Sequence, residues 1–201
     1  MCEAVHFQPW VGKAYERGIS GVKVMALGES HYCARPEDDN SMVTVRIIRH
    51  ILNPNAEFEP FMNTYTKFER ALAGKTPDAR GREALWNSIV FYNYVQKPMT
   101  GPRIAPTAAE FRDSEAAFFQ ILEQYRPDCV LVWGKRLYDH LPQAGSQGQD
   151  LQLPDGKWLE TWTYSLKDGH TVHVLPMTHP SAAFTPPYWH EAIFSFISLI
   201  K

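Results

Sequence analysis

The chain is poor in cysteine. Three occur in 201 residues, Cys2, Cys33 and Cys129. An odd number at wide spacing argues against a disulfide framework. With no Cys-x-x-Cys pair and only three thiols, a zinc or iron–sulfur site built from four thiolates is excluded. Long hydrophobic runs are also missing; none approaches the roughly 18 apolar residues that read as a membrane span. The opening MCEAVHFQPW has no basic stretch leading into an apolar run, so no signal peptide is expected. A reducing cytoplasm is the expected location. Neither charge sign dominates: 20 basic and 22 acidic residues give a net charge of −2. That disfavours a broad basic surface for wrapping nucleic acid and leaves room only for a local positive groove. The chain shows no internal repeat and no low-complexity tract.

What is present is an ordinary globular composition, 44% apolar and 21% charged. The length fits a single domain over residues 1–201. GVKVMALG (21–28), SIVFYNYV (88–95) and DCVLVWG (128–134) read as short buried strands, rich in β-branched and aromatic residues. KWLETWTYSL and GHTVHVLPM are two further strands around the turn KDG, a hairpin signal. Helical spacing and punctuation place helices over 40–53, 59–74, a short stretch after TPD, 107–127, KRLYDHLP and the C-terminal WHEAIFSFISLIK. Thr107 and Glu110 have capping-box spacing. Residues 144–150 and THPSAAFTPPYW read as loops. Helices alternating with short apolar strands imply an α/β layered fold with a mostly parallel central sheet. Its strands would end on one edge, where open sheets of this kind bind ligands.

Three segments reach that edge with polar side chains. After the first strand, Gly28 is followed by Glu29, Ser30, His31 and Tyr32, four functional groups in succession. They read either as a site, with exposed amides able to hold a carbonyl or phosphate oxygen, or as a helix cap. Asn93, between Tyr92 and Tyr94, offers a donor and an acceptor that can read a cyclic imide edge, or it braces a nearby loop. His179, between Thr178 and the Pro180–Ser181 pair, can donate to an oxygen gaining charge, or it is a solvated loop histidine. His6, His50, His140 and His190 read as surface or packing residues. The aromatics of FTPPYW are either a stacking wedge for bases or loop packing, with packing favoured. Lys97, Arg103, Lys135 and Arg136 flank the edge, as phosphate contacts or as solvated surface. Asp168, Gly169 and His170 read as a turn.

Taken together, LGESHY, YNYVQKP, PRIAPTAAEF, RPDCVLVWG and VLPMTHPSAAF resemble, in order and spacing from about residue 22 to residue 200, the uracil-DNA glycosylase-like superfamily. The resemblance implies a three-layer α/β/α fold. It also implies a base flipped into a pocket at the strand edge, with its N-glycosidic bond cleaved by water. It assigns stabilisation of the leaving base to His179 and reading of the pyrimidine edge to Asn93. Amides near Glu29 and Ser30 would hold a base carbonyl, and Tyr32 would fill the space beside C5. Gly28, His31 and Ser181 complete the expected substrate-binding set, with Glu29 and Ser30 beside His179 in the catalytic set. No metal or cofactor is implied. The expected partner is DNA or another ligand carrying a nucleobase.

The sequence departs from that pattern at particular positions. His31 stands where the superfamily has proline. Ser30 stands where its best-known branch has a water-activating aspartate, and Glu29 is one position away. The acidic CARPEDDN follows the turn and carries no stacking phenylalanine. Two other readings stay open. VMALGESHY also looks like the start of erythromycin-esterase-like hydrolases, or, with Ser30 as nucleophile, of small serine esterases. No acid precedes His179 among Pro176, Met177 and Thr178, and no G-x-S-x-G elbow is completed. The last reading is a non-catalytic base-binding module using the same pocket.

Overall fold

A computed structural model describes residues 4–33, 39–101 and 104–201. Cys2, most of the acidic run after Cys33 and Arg103 lie outside the described residues. The chain runs β1 (Trp10–Val11), β2 (Val24–Gly28), α1 (Val43–Leu52), α2 (Met62–Ala73), α3 (Ala79–Asn87), β3 (Ile89–Asn93), α4 (Ala108–Asp113), α5 (Glu115–Tyr125), β4 (Cys129–Trp133), α6 (Lys135–Asp139), β5 (Ser146–Gln147), β6 (Leu151–Gln152), β7 (Trp158–Leu159), β8 (Trp162–Ser165), β9 (Thr171–Met177) and α7 (Pro186–Leu199).

A seven-stranded sheet has the order β1-β3-β2-β4-β9-β8-β5. Its four central strands, β3, β2, β4 and β9, are parallel, and the three outer strands run antiparallel to their neighbours. Every residue of β2, β3 and β4 is buried, as expected where helices cover both faces of a parallel sheet. The pleat divides these residues between two apolar clusters. Val24, Ala26, Ile89 and Phe91 join the buried faces of α1, α2, α3 and α7. Met25, Leu27, Val90 and Tyr92 join those of α4, α5 and α6. The α/β class with a mostly parallel sheet is therefore the observed architecture.

Several element boundaries differ from expectation for local reasons. The stretch 107–127 is two helices, α4 and α5. Ser114 breaks it by donating its hydroxyl to the Glu110 carbonyl at 2.8 Å while accepting from the Gln96 amide at 3.0 Å. The capping box at Thr107 and Glu110 is present. The stretch 157–166 is also divided, because β7 pairs with β6 in a separate ribbon whereas β8 pairs with β9 and β5. The expected loop at 144–150 contains the edge strand β5, too short to carry a period. The two-residue β1 also adds an edge. Helix α7 begins at Pro186, earlier than expected, with proline in its first turn.

Register matters most for function. Gly28 pairs with Asn93, and Trp133 with Met177. The central strands therefore end nearly level, and four connections leave the same edge. The chain steps from β2 to β3 on one side, then crosses back to β4 on the other. A crevice opens at such a reversal, between the carboxyl ends of β2 and β4.

Candidate functional site

A cavity of about 580 Å³ lies at this edge. Gly28, Glu29, Ser30, His31, Tyr32, Asn93 and His179 all line it, together with Trp133 and residues of α1 and α2. Segments more than 80 residues apart in sequence thus share one hollow. Ser181 is not on the wall; it is exposed and stands behind His179.

The β2–β3 side is closely packed. Asn93 is only 4% exposed, and its Oδ1 occupies the space a side chain at residue 28 would need: a Cβ there would fall 2.0 Å from it. Glycine at 28 is therefore a requirement of close approach. Beyond Gly28 the backbone stays paired, with Tyr94 N donating to Gly28 O at 2.9 Å and Val95 N to Glu29 O at 2.8 Å. Gln96 braces the strand end by donating to the Asn93 and Tyr94 carbonyls at 2.9 and 3.2 Å. His31 is buried, with Nε2 2.8 Å from the Thr44 hydroxyl and its ring edge-on to Phe7. Asn93 Nδ2 lies 3.1 and 3.0 Å from the two His31 ring nitrogens. The in-plane lone-pair axes of the two nitrogens diverge, so a donor equidistant from both is aligned with neither, and the contact is mainly packing. Burial pushes the His31 pKa down to about 3, so the ring is neutral near pH 7.

The β4–β9 side is open and charged. His179 Nδ1 accepts from the Ser181 backbone N–H at 3.1 Å and lies 2.7 Å from the Ser181 hydroxyl. A backbone N–H can only donate. Nδ1 is thereby the acceptor nitrogen, and the neutral ring carries its proton on Nε2. That N–H makes no hydrogen bond among the described residues. Burial holds the His179 pKa below the usual histidine value; Arg136 acts in the same direction and Glu29 opposes both. Gly134 has φ of 103°, open to glycine, and a Cβ there would sit 3.3 Å from His179 Cβ.

Glu29 does not stand free. Arg136 Nε and Nη2 donate to its two carboxylate oxygens at 2.7 and 2.5 Å, a bidentate fork across the β2–β4 crevice. Ser30 makes no side-chain hydrogen bond among the described residues. Tyr32 is 52% exposed at the cavity's open side.

Much of the remaining wall is aromatic, and Val43, Ile47, Thr64 and a second carboxylate, Glu59, complete it. Phe91, Tyr65 and Trp133 have ring centroids 5.0 to 5.7 Å apart, and Phe61 follows 6.2 Å from Tyr65. Burial, and after it the neighbouring Tyr32 phenol, keeps Tyr65 protonated. These residues were not among the expected site residues. The signal was available in the Phe61–Tyr65 spacing of four, which puts two rings on one helix face. Their facing the sheet edge was not encoded locally.

Phe184 and Trp189 are buried and stacked 6.0 Å apart, so the FTPPYW aromatics pack the loop. Lys97 pairs with Glu110 and Lys135 with Asp139, at 3.0 and 2.7 Å. Among the described residues no carboxylate pairs with His179 Nδ1 as in a Ser-His-Asp arrangement; Ser181 occupies that nitrogen. No protein-family model matches the chain, and no curated protein matches it.

Proposed function

We propose that the chain is a divergent uracil-DNA glycosylase-like protein with that superfamily's three-layer α/β/α fold, and that its cavity receives a single nucleobase. The observation that carries this reading is the neutral His179. His179 lines the same hollow as Asn93 and the aromatic wall, and its Nε2–H is unengaged among the described residues. A flat heterocycle fits between rings, Asn93 can read its amide edge, and a neutral N–H donor can steady charge gathering on a carbonyl oxygen. The bond that breaks is the N-glycosidic bond: its electrons pass into the base, water adds its oxygen to the sugar carbon, and the proton that water gives up ends on the departed base. The partner is DNA carrying the target base, in the cytoplasm.

The test is a panel of oligonucleotides, each with one altered base, scored for binding and for abasic-site formation. Binding of one base class, with turnover lost in His179→Ala, is the expected result. Failure of every base to bind would overturn the reading.

One observation favours a second reading, the non-catalytic base-binding module. The turn's only carboxylate is held by Arg136 rather than left to activate water. Binding without abasic sites would select it. Ester hydrolysis is not expected, since Ser30 has no imidazole partner among the described residues; turnover of a chromogenic short-chain ester would reverse that.

A further inference from the structure

Among the described residues that line the cavity there is no lysine or arginine to meet the phosphate that accompanies a base in a nucleotide, yet one arginine stands beside it, already occupied by the lining residue Glu29. Arg136 and Glu29 are 107 positions apart in sequence and meet across the crevice where strand order reverses. The two partners are unequal in access. The Glu29 side chain is 13% exposed and the Arg136 side chain 55%. An anion arriving from solvent therefore meets the guanidinium first. The fork that binds two carboxylate oxygens presents the same pair of donors to two phosphate oxygens. Lys135 adds a second positive group beside it, itself paired with Asp139 at 2.7 Å. His179 feels both members of the pair, so the fork is electrostatically part of the cavity.

We infer that Arg136 is the receptor for the phosphate of a nucleotide whose base occupies the cavity, and that Glu29 holds the receptor in the ligand's absence. This rests on the base-binding reading and names the group next to the base. Phosphate displaces the carboxylate, and the released Glu29 remains in the turn that borders the cavity. The displaced carboxylate and the phosphate repel each other, so Glu29 weakens binding while Arg136 creates it.

That gives the two substitutions opposite signs. Inorganic phosphate is titrated into the wild-type chain and its variants, with the His179 imidazole signals as the local readout. Glu29→Gln is expected to bind phosphate about 10-fold tighter than wild type, and Arg136→Gln about 10-fold weaker or not at all. Arg136→Lys keeps the charge without the fork and is expected to fall between wild type and Arg136→Gln. Thermal melts confirm that each variant is folded. A merely structural pair would leave both variants weakened alike, or phosphate without effect on His179; either result overturns the inference. Deoxyuridine is then compared with its 5′-monophosphate and with a short uracil-containing oligonucleotide. An advantage of the monophosphate over the nucleoside, lost in Arg136→Gln, supports a terminal phosphate as the ligand. The same loss for the oligonucleotide alone assigns the fork to a strand phosphodiester. Phosphate binding with no base binding sinks the base-pocket reading and keeps the fork. Base binding with no phosphate advantage does the reverse.

Discussion

The two sides of the cavity handle a histidine in opposite ways. On the β2–β3 side His31 is buried to 4% exposure, bonded to Thr44 and packed between Asn93 and Phe7. On the β4–β9 side His179 uses one nitrogen to fix its orientation and leaves the other unengaged. Both rings are neutral near pH 7, for the same first reason, burial. Yet one is a structural part and the other a donor with no acceptor among the described residues. A perturbed titratable group is a stronger candidate for function when an unspent hydrogen-bonding atom accompanies it.

The largest effect should come from His31. Its folded pKa is near 3 against 6.5 unfolded, so below pH 6.5 the unfolded chain takes up a proton that the folded chain refuses. The His31 contribution to stability is complete above pH 6.5 and is lost progressively toward pH 3, on the order of 5 kcal/mol in all. Urea melts across pH should show this contribution in wild type, and the slope should flatten by that much in His31→Gln, with the depressed pKa values of His179 and His173 still contributing. An unchanged slope would place His31 with the open side and break the contrast.

Next comes His179→Ala. If its N–H meets developing charge, turnover or binding of the preferred base should drop about 10²-fold, with little change in melting temperature. The wild-type profile should stay flat to below pH 6.5, because the neutral form persists there.

Gly28→Ala should follow. Its methyl would collide with Asn93 Oδ1, so about 1–3 kcal/mol of stability is expected to be lost as the amide swings away. Base binding should fall with it, and a crystal structure of the variant would show whether the amide moved. The smallest effect on stability belongs to Arg136→Gln. Its pair with Glu29 is half-exposed on the arginine side, so the loss should stay near or below about 1 kcal/mol. The His179 titration should nevertheless move upward, since a neighbouring positive charge is removed while Glu29 remains. That shift is readable by NMR.

The parallel core was legible because its strands are buried on both faces and read as short apolar runs. The expected strands GVKVMALG, SIVFYNYV and DCVLVWG became β2, β3 and β4, each end within three residues of expectation. The polar clusters were legible because each follows such a run. Their individual states were not. Nothing in GESHY distinguishes Glu29, which pairs with a residue 107 positions away, from His31, which turns inward to Thr44. The break at Ser114 was hidden for a similar reason. Its hydroxyl does two jobs at once, and one partner, Gln96, arrives from a distant loop. The edge strands β1 and β5 escaped notice because two residues carry no periodicity.

Local chemistry alone thus determined the α/β class, the strand cores and the three polar segments that meet at one rim. Those follow from burial pattern and backbone preference, which act over a few residues. Only the folded chain decided which imidazole was spent and which was left, where the Glu29 carboxylate found its cation, and which rings formed the wall. Each of these depends on distance between groups far apart in the chain, and strand order and register set those distances.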